Sequence, residues 1–340
     1  MNVRIASTAY AVPPDIETAE AVMAREKERV EAALRPLSIR RRNKVMAGLG
    51  LKRVHVCGQK QPYDLAREAA SACLAEAAMR PRDVDLIIEF STIPGYKDEY
   101  SSLAQKLSAD LGADSSLNLS FKIGGCGGLH LALKNATALM AADTSLRTAL
   151  LISADSPPPG SRSLLPVTVQ GDAGSAVLLR RDAGEGPLLL DTEVLTLGFL
   201  HDVIAFRRSA NGTDSVRTDN LVIQVDSARI ENELMPIYHL NFHRLVHKVL
   251  DKASLKVEEI DHFIYSNLSR TDQEGFAKML GMPASVVSTP QLAEYGHTFA
   301  SDLVINYTDL RREGRIKPGD LLLFASAGIG FTWGVTLARA

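Results

Sequence analysis

The sequence predicts an α/β protein of two structurally alike halves, residues 1–180 and 181–340. Apolar strand-like runs alternate with helical segments, the pattern of strand–helix–strand units. The order of elements then repeats. RPRDVDLIIEFST near residue 85 is answered by KVEEIDHFIYSN near residue 261, and SLRTALLISAD by KPGDLLLFASAG. GGCGGLHLALKNATALM is answered by YGHTFASDLVINYTDLRREGRI. The separations are similar, 176 residues from Asp85 to Asp261 and 171 from Cys126 to His297, as internal duplication requires.

Taken in order, residues 3–11 read as a first strand, followed by a loop with Pro13 and Pro14. A helix over 16–34 precedes the basic run RPLSIRRRNK at 35–44. LKRVHV at 51–56 reads as a strand and 63–79 as an alanine-faced helix. The continuous apolar run within 83–92, after Pro81, predicts a central strand covered on both faces. A short amphipathic helix over 101–111 leads into the cysteine segment, and 146–155 is a second buried strand. Residues 156–170 form a proline-rich loop ending in the strand GDAGSAVLLR at 171–180. Between 185 and 240, strand-like PLLLDTEVL and NLVIQVD mix with polar loops, and a helix follows over 241–254.

The chemistry centres on NLSFKIGGCGGLHLALKNATALMAA, residues 118–142. Gly124, Gly125, Gly127 and Gly128 flank Cys126, and apolar positions beyond it cover almost every helix face. That predicts a helix buried on all sides with Cys126 on a tight turn at its mouth. Unpaired N–H groups and the positive end of the helix dipole gather there and stabilise a thiolate, which suits a nucleophile. In the repeat register His297 occupies the corresponding position of the second half. Two such helix mouths would face one cleft.

Composition narrows the class. Hydrophobic residues at 46% and charged residues at 23% are ordinary for a globular protein, and a net charge of −2 gives no reason to expect nucleic-acid binding. No apolar run approaches the roughly 20 residues that span a bilayer, and the N-terminus lacks a signal-peptide pattern. Cys57, Cys73 and Cys126 have no metal-ligand spacing. The expectation is a reduced, cytoplasmic protein without structural disulfides.

The glycine-flanked cysteine, GDAGSAVLL after a long loop, GRIKPGDLLL and the C-terminal GIGFTWGVTLAR together resemble the thiolase superfamily, and within it the ketoacyl-ACP synthase III branch. The resemblance covers essentially the whole chain. It implies a five-layered αβαβα fold with two pseudo-symmetric halves, a homodimer, and no permanently bound cofactor. The acyl donor would be acyl-CoA or a phosphopantetheine-linked acyl carrier protein, consumed as substrate. Condensing members of the family use a Cys-His-Asn set. Here YSNLS aligns with the histidine motif, so Ser266 stands where that histidine is expected. GHTFASD aligns with the asparagine motif, so His297 replaces the asparagine and Asp302 follows five residues later.

A serine cannot replace the imidazole that stabilises the enolate of a decarboxylating malonyl group. Thiol, histidine and carboxylate suffice for acyl transfer. Cys126 would carry the acyl group, His297 would move the proton and Asp302 would orient the imidazole. The Cys126 N–H and a backbone N–H near Ile329 would hold the oxyanion. The pattern is similar to ketosynthase-III-like acyltransferases of antibiotic pathways, which pass acyl groups to hydroxyls, amines or carrier-protein thiols. A condensing or starter-unit priming enzyme, and a non-catalytic partner subunit of a ketosynthase, are the alternatives.

Ser266 and Asn267 can still hydrogen-bond substrate, and His201, in the apolar setting GFLHDVIAF, is an acceptor-site candidate. Arg40, Arg41, Arg42 and Lys44 are either a charged surface or, by the resemblance, a holder for CoA phosphates or a docking patch for a carrier protein. His239, His243 and His247 fall at i, i+4 and i+8, but nothing completes a metal site; a solvated helix face is expected. The acyl pocket falls to loops at 93–100, 156–170 and 196–212.

Overall fold

Every side chain of the strand Leu86–Glu89 is buried, as its unbroken apolar character demands of a strand covered on both faces. The computed structural model describes residues 1–93, 102–121, 124–182, 184–208 and 221–340. Its main sheet has nine strands. Their spatial order is His262–Tyr265, Leu321–Gly328, Thr332–Arg339, Leu188–Thr196, Val3–Ala11, Ala173–Arg181, Thr148–Asp155, Leu86–Glu89 and Leu117–Ser120. Val3–Ala11 and Leu188–Thr196 meet through the registered pair Arg4↔Leu188, and the sheet divides at that joint.

The pairing repeats on either side of it. Thr148–Asp155 runs antiparallel to Ala173–Arg181 and parallel to Leu86–Glu89. Leu321–Gly328 runs antiparallel to Thr332–Arg339 and parallel to His262–Tyr265. The parallel neighbour Leu117–Ser120 is answered by the parallel bridge Phe263↔Val287. Even the strand entries match. Asp85 Oδ2 accepts from Arg147 N at 2.8 Å and Thr148 N at 2.9 Å, and Asp261 Oδ2 accepts from Leu321 N at 2.8 Å.

The helices Gly128–Ala142 and Asp302–Arg312 lie between the two half-sheets. Leu129, Leu133 and Met140 share one core with Leu303, Tyr307 and Leu310. Pro62–Glu76 and Leu103–Leu111 cover the outer face of the first half-sheet. Met235–Ala253 and Arg270–Met279 cover that of the second. The result is a five-layered αβαβα stack.

Several boundaries differ from expectation. The helix expected over 16–34 begins as the strand Asp15–Thr18, paired with Arg53–Val56. It then splits into Ala19–Arg25 and Lys27–Leu34. The break falls at Glu26, whose buried carboxylate turns inward to accept from Arg162 N at 3.0 Å and Ser163 N at 2.8 Å. The loop 156–170 contains a small ribbon, Ser163–Leu164 with Thr168–Val169. The helix expected over 241–254 spans Met235–Ala253 and runs on from the wider turn Ile230–Leu234, with Pro236 at their junction. The cysteine helix is buried along its first turn, but Lys134, Ala138, Ala141 and Ala142 face solvent, correcting the expectation of burial on all sides. The helix buried throughout is Asp302–Arg312, from Asp302 to Leu310. No helix among the described residues is long and apolar enough to cross a membrane.

Candidate active site

Glycine makes the cysteine turn. Gly124 has φ +100° and Gly125 φ +50°, conformations that L side chains rarely adopt. A Cβ on Gly125 would stand 2.5 Å from Ile329 N, so the Gly328–Ile329 backbone lies directly against the turn. A Cβ on Gly328 would overlap Gly124 O and Cys126 N, and Ser326 Oγ donates to Cys126 O at 3.0 Å. Gly328→Ala is therefore expected to shift the cysteine turn and slow acylation by about 100-fold or more. Intact mass spectrometry with a thioester donor measures the rate, and the melting temperature reports the fold.

His297 is delivered from the second half by backbone pairing to the loop of the first. It pairs with Gln170 in a parallel bridge, through His297 N to Val169 O at 3.1 Å and Gly171 N to His297 O at 3.0 Å. The next residue, Asp172, anchors that loop. Its carboxylate takes both arms of Arg162, at 2.6 and 2.8 Å, and the Cys57 N–H at 2.5 Å.

The three side chains meet in a buried relay. His297 Nε2 lies 3.2 Å from Cys126 Sγ and His297 Nδ1 2.6 Å from Asp302 Oδ2. Relative exposure is 7% for Cys126, 2% for His297 and 0% for Asp302. Asp302 is itself held. Its Oδ2 accepts from Asn267 N at 2.7 Å, and its Oδ1 accepts from Thr298 N at 2.6 Å and Thr298 Oγ1 at 2.7 Å. A buried carboxylate with four donors stays an acceptor and fixes the imidazole tautomer. Ile93, Phe299 and the partly buried Phe206 form an apolar cluster with Cys126.

Burial pushes the His297 imidazole toward the neutral form, but Asp302 and Cys126, by charge and hydrogen bonding, hold its pKa well above the ordinary histidine value. The folded protein thus keeps a proton that the unfolded chain releases near about pH 6.5. That stabilisation is full below this pH and is lost as pH rises through the higher folded value. The melting-temperature advantage of wild type over His297→Gln is expected to shrink as pH is raised above about 6.5. A pH-independent gap would contradict this assignment.

The remaining sequence candidates scatter. Ser266 and Asn267 are buried beside the relay; Ser266 Oγ and Asn267 Nδ2 have no partner among the described residues, and the Asn267 backbone holds Asp302. His201 stands on an exposed turn, its side chain 73% open and 3.7 Å from Asp202 Oδ1, which corrects the apolar setting expected for it. Arg40, Arg41, Arg42 and Lys44 lie on the helix Ile39–Gly48, which buries no residue. Arg41 pairs with Glu231 at 2.6 Å, and Arg42 donates to the carbonyls of Leu37 and Arg35. His243 and His247 approach each other at 3.1 Å, while His239 stacks on Phe276 and meets Asp272 Oδ1 at 3.1 Å. That helix face is half-buried rather than solvated. Most of the loop 93–100, and the end of 196–212, fall outside the described residues. Thr298, Phe299, Arg162 and Asp172 escaped the sequence reading. Only Asp172 had a local signal, in the quoted GDAG turn.

A family model described as 3-oxoacyl-[acyl-carrier-protein (ACP)] synthase III C terminal matches residues 250–340. Over 287 residues the chain is 31% identical to beta-ketoacyl-[acyl-carrier-protein] synthase III of Rhodospirillum rubrum, covering 81% of this chain and 83% of that one. The enzyme of the same name from Thermosynechococcus vestitus is 29% identical, over 87% and 89%. Among solved structures, 3-oxoacyl-[acyl-carrier-protein] synthase III from Aquifex aeolicus has a TM-score of 0.80 at 23% identity, over 99% of this chain and 100% of that one. The acyltransferase ChlB3 has a TM-score of 0.81 at 22% identity, over 100% and 98%.

The fold, with relatives matched over most of the chain, defines a protein of the thiolase superfamily. Within it, the chain belongs to the beta-ketoacyl-[acyl-carrier-protein] synthase III family. It is therefore an acyl-transferring or condensing enzyme, of the transferase class.

Proposed function

We propose that this protein is an acyltransferase that moves an acyl group from acyl-CoA or an acyl carrier protein, through a Cys126 thioester, to a hydroxyl, amine or carrier-protein thiol, without decarboxylative condensation. The observation that supports it is the His297 imidazole, 3.2 Å from the Cys126 sulfur and 2.6 Å from the Asp302 carboxylate. By the family resemblance, an asparagine stands at that position in condensing relatives, and Ser266 replaces their histidine.

The steps balance. The Cys126 sulfur attacks the donor carbonyl while its proton resides on His297. The carbon–sulfur bond to the donor breaks, and His297 returns the proton to the departing thiolate. The neutral imidazole then takes the proton of the acceptor as that group attacks the Cys126 thioester. An ester, amide or new thioester leaves, and the sulfur and imidazolium are restored. The amides of Cys126 and Ile329, whose nitrogens lie against the glycine turn, would receive the oxyanion. Asp302 keeps Nδ1 protonated and Nε2 aimed at the sulfur. The donor is a substrate and leaves as the free thiol; no resident cofactor takes part. Work in secondary metabolism, as a homodimer, fits this chemistry.

Incubation with acyl-CoA and acyl-carrier donors, followed by intact mass measurement, tests the first half-reaction; no adduct on Cys126 from either would end this reading. Release of carbon dioxide from a malonyl donor with formation of a β-keto product would establish condensation instead.

A further inference from the structure

We infer that Phe299 limits the acyl group carried on Cys126 to a short apolar chain, an inference that rests on the acyl-transfer reading above. Phe299 opens the turn Phe299–Ser301 between the Thr298 that locks Asp302 and the helix Asp302–Arg312. The three residues of that turn part ways. Ala300 joins the core between the central helices, and Ser301 Oγ donates to Ser175 Oγ at 3.0 Å. The Phe299 ring instead packs with Cys126 and Ile93, against Phe206. Its centroid stands 5.4 Å from that of His297.

The backbone here does not ask for an aromatic. Phe299 has φ +58°, where glycine or asparagine is at home and a bulky side chain is strained. Strain held beside a reacting atom, in a residue only 1% exposed, points to a task for the ring. The geometry supplies one. An acyl group bonded to Sγ begins inside the contact shell of the sulfur, so its first carbons lie among Ile93, Phe206 and Phe299. Each further methylene needs room that the packed Phe299 ring occupies. Such a wall is felt at the level of single methylenes.

Truncated donors separate this idea from donor choice, because S-acyl N-acetylcysteamine thioesters carry neither CoA nor a carrier protein. Wild type is expected to form the acetyl and butyryl adducts at least about tenfold faster than the octanoyl adduct. Phe299→Ala is expected to raise the octanoyl rate relative to acetyl by about tenfold or more, with Phe299→Leu between them. An unchanged octanoyl-to-acetyl ratio in a variant with intact near-ultraviolet circular dichroism overturns the inference and leaves acyl transfer standing. A wild type that prefers octanoyl does the same. Should alanine prevent folding, the leucine variant carries the test with a smaller shift in the same direction. Absence of any Cys126 adduct from all three chain lengths, offered as these thioesters and as their CoA and carrier-protein forms, overturns acyl transfer and this inference together.

Discussion

Cys126→Ala is expected to form no covalent acyl adduct and to lose turnover by on the order of 10⁵-fold or more. Among the described residues, the side-chain hydroxyl that meets the sulfur is Thr92 Oγ1, at 3.9 Å, a far weaker nucleophile than a thiolate. Cys73 is buried among the alanines of Pro62–Glu76, where burial pushes its pKa up to about 12 despite its hydrogen bonds. In the proposed mechanism nucleophile and base act as a unit, so removing either is expected to forfeit nearly the whole effect. The double variant Cys126→Ala/His297→Ala should thus be no slower than Cys126→Ala alone. Single-turnover rates measure both. Simple multiplication of the two losses would mean that His297 serves a step that does not involve the sulfur.

The sequence displays these two residues and hides what aims them. Cys126 is legible because its turn is local: four glycines within five positions leave few other conformations. His297 becomes legible through the repeat, since two halves folded alike bring matching positions together. The same logic fails on the helix that follows. DLVINYTDLRR looks half polar, yet residues 302–310 are buried. Several polar side chains there find partners outside the helix. Asn306 donates to Asn267 Oδ1 and Tyr265 O. Thr308 meets Thr8 at 2.8 Å, and Asp309 accepts from Tyr10 at 2.8 Å and from Gln291. No periodicity rule registers partners on other elements, two of which, Thr8 and Tyr10, belong to the first strand of the chain. Alanine suits a core or a surface equally, and Ala138, Ala141 and Ala142 lie exposed on the cysteine helix, which was expected to be buried on all sides. His201 fails for a third reason. Its neighbours Leu200 and Val203 are buried, but a turn between them points the histidine outward.

Asp302→Asn is expected to lower turnover by about 10²–10⁴-fold, and the carboxylate's two oxygens explain why the change is not conservative. Oδ2 accepts from His297 Nδ1 and Asn267 N, and Oδ1 from Thr298 N and Oγ1. An amide can accept at one of these places only. If its oxygen stays on Thr298, the NH₂ confronts two donors, and His297 must change tautomer or swing away from the sulfur. If its oxygen turns to His297, the Thr298 N–H loses its acceptor in a buried site, at a cost of about 1–3 kcal/mol. The charge matters separately. Burial already drives His297 toward neutrality, and Asp302 is a principal counterweight. With the charge gone, the imidazole titrates at lower pH, so the wild-type stability lost above about pH 6.5 should largely vanish from the pH profile of the Asp302→Asn variant. Measuring melting temperature and acylation rate over the same pH range separates orientation from charge: a variant slowed yet retaining the wild-type pH profile would show that Asp302 acts through geometry alone.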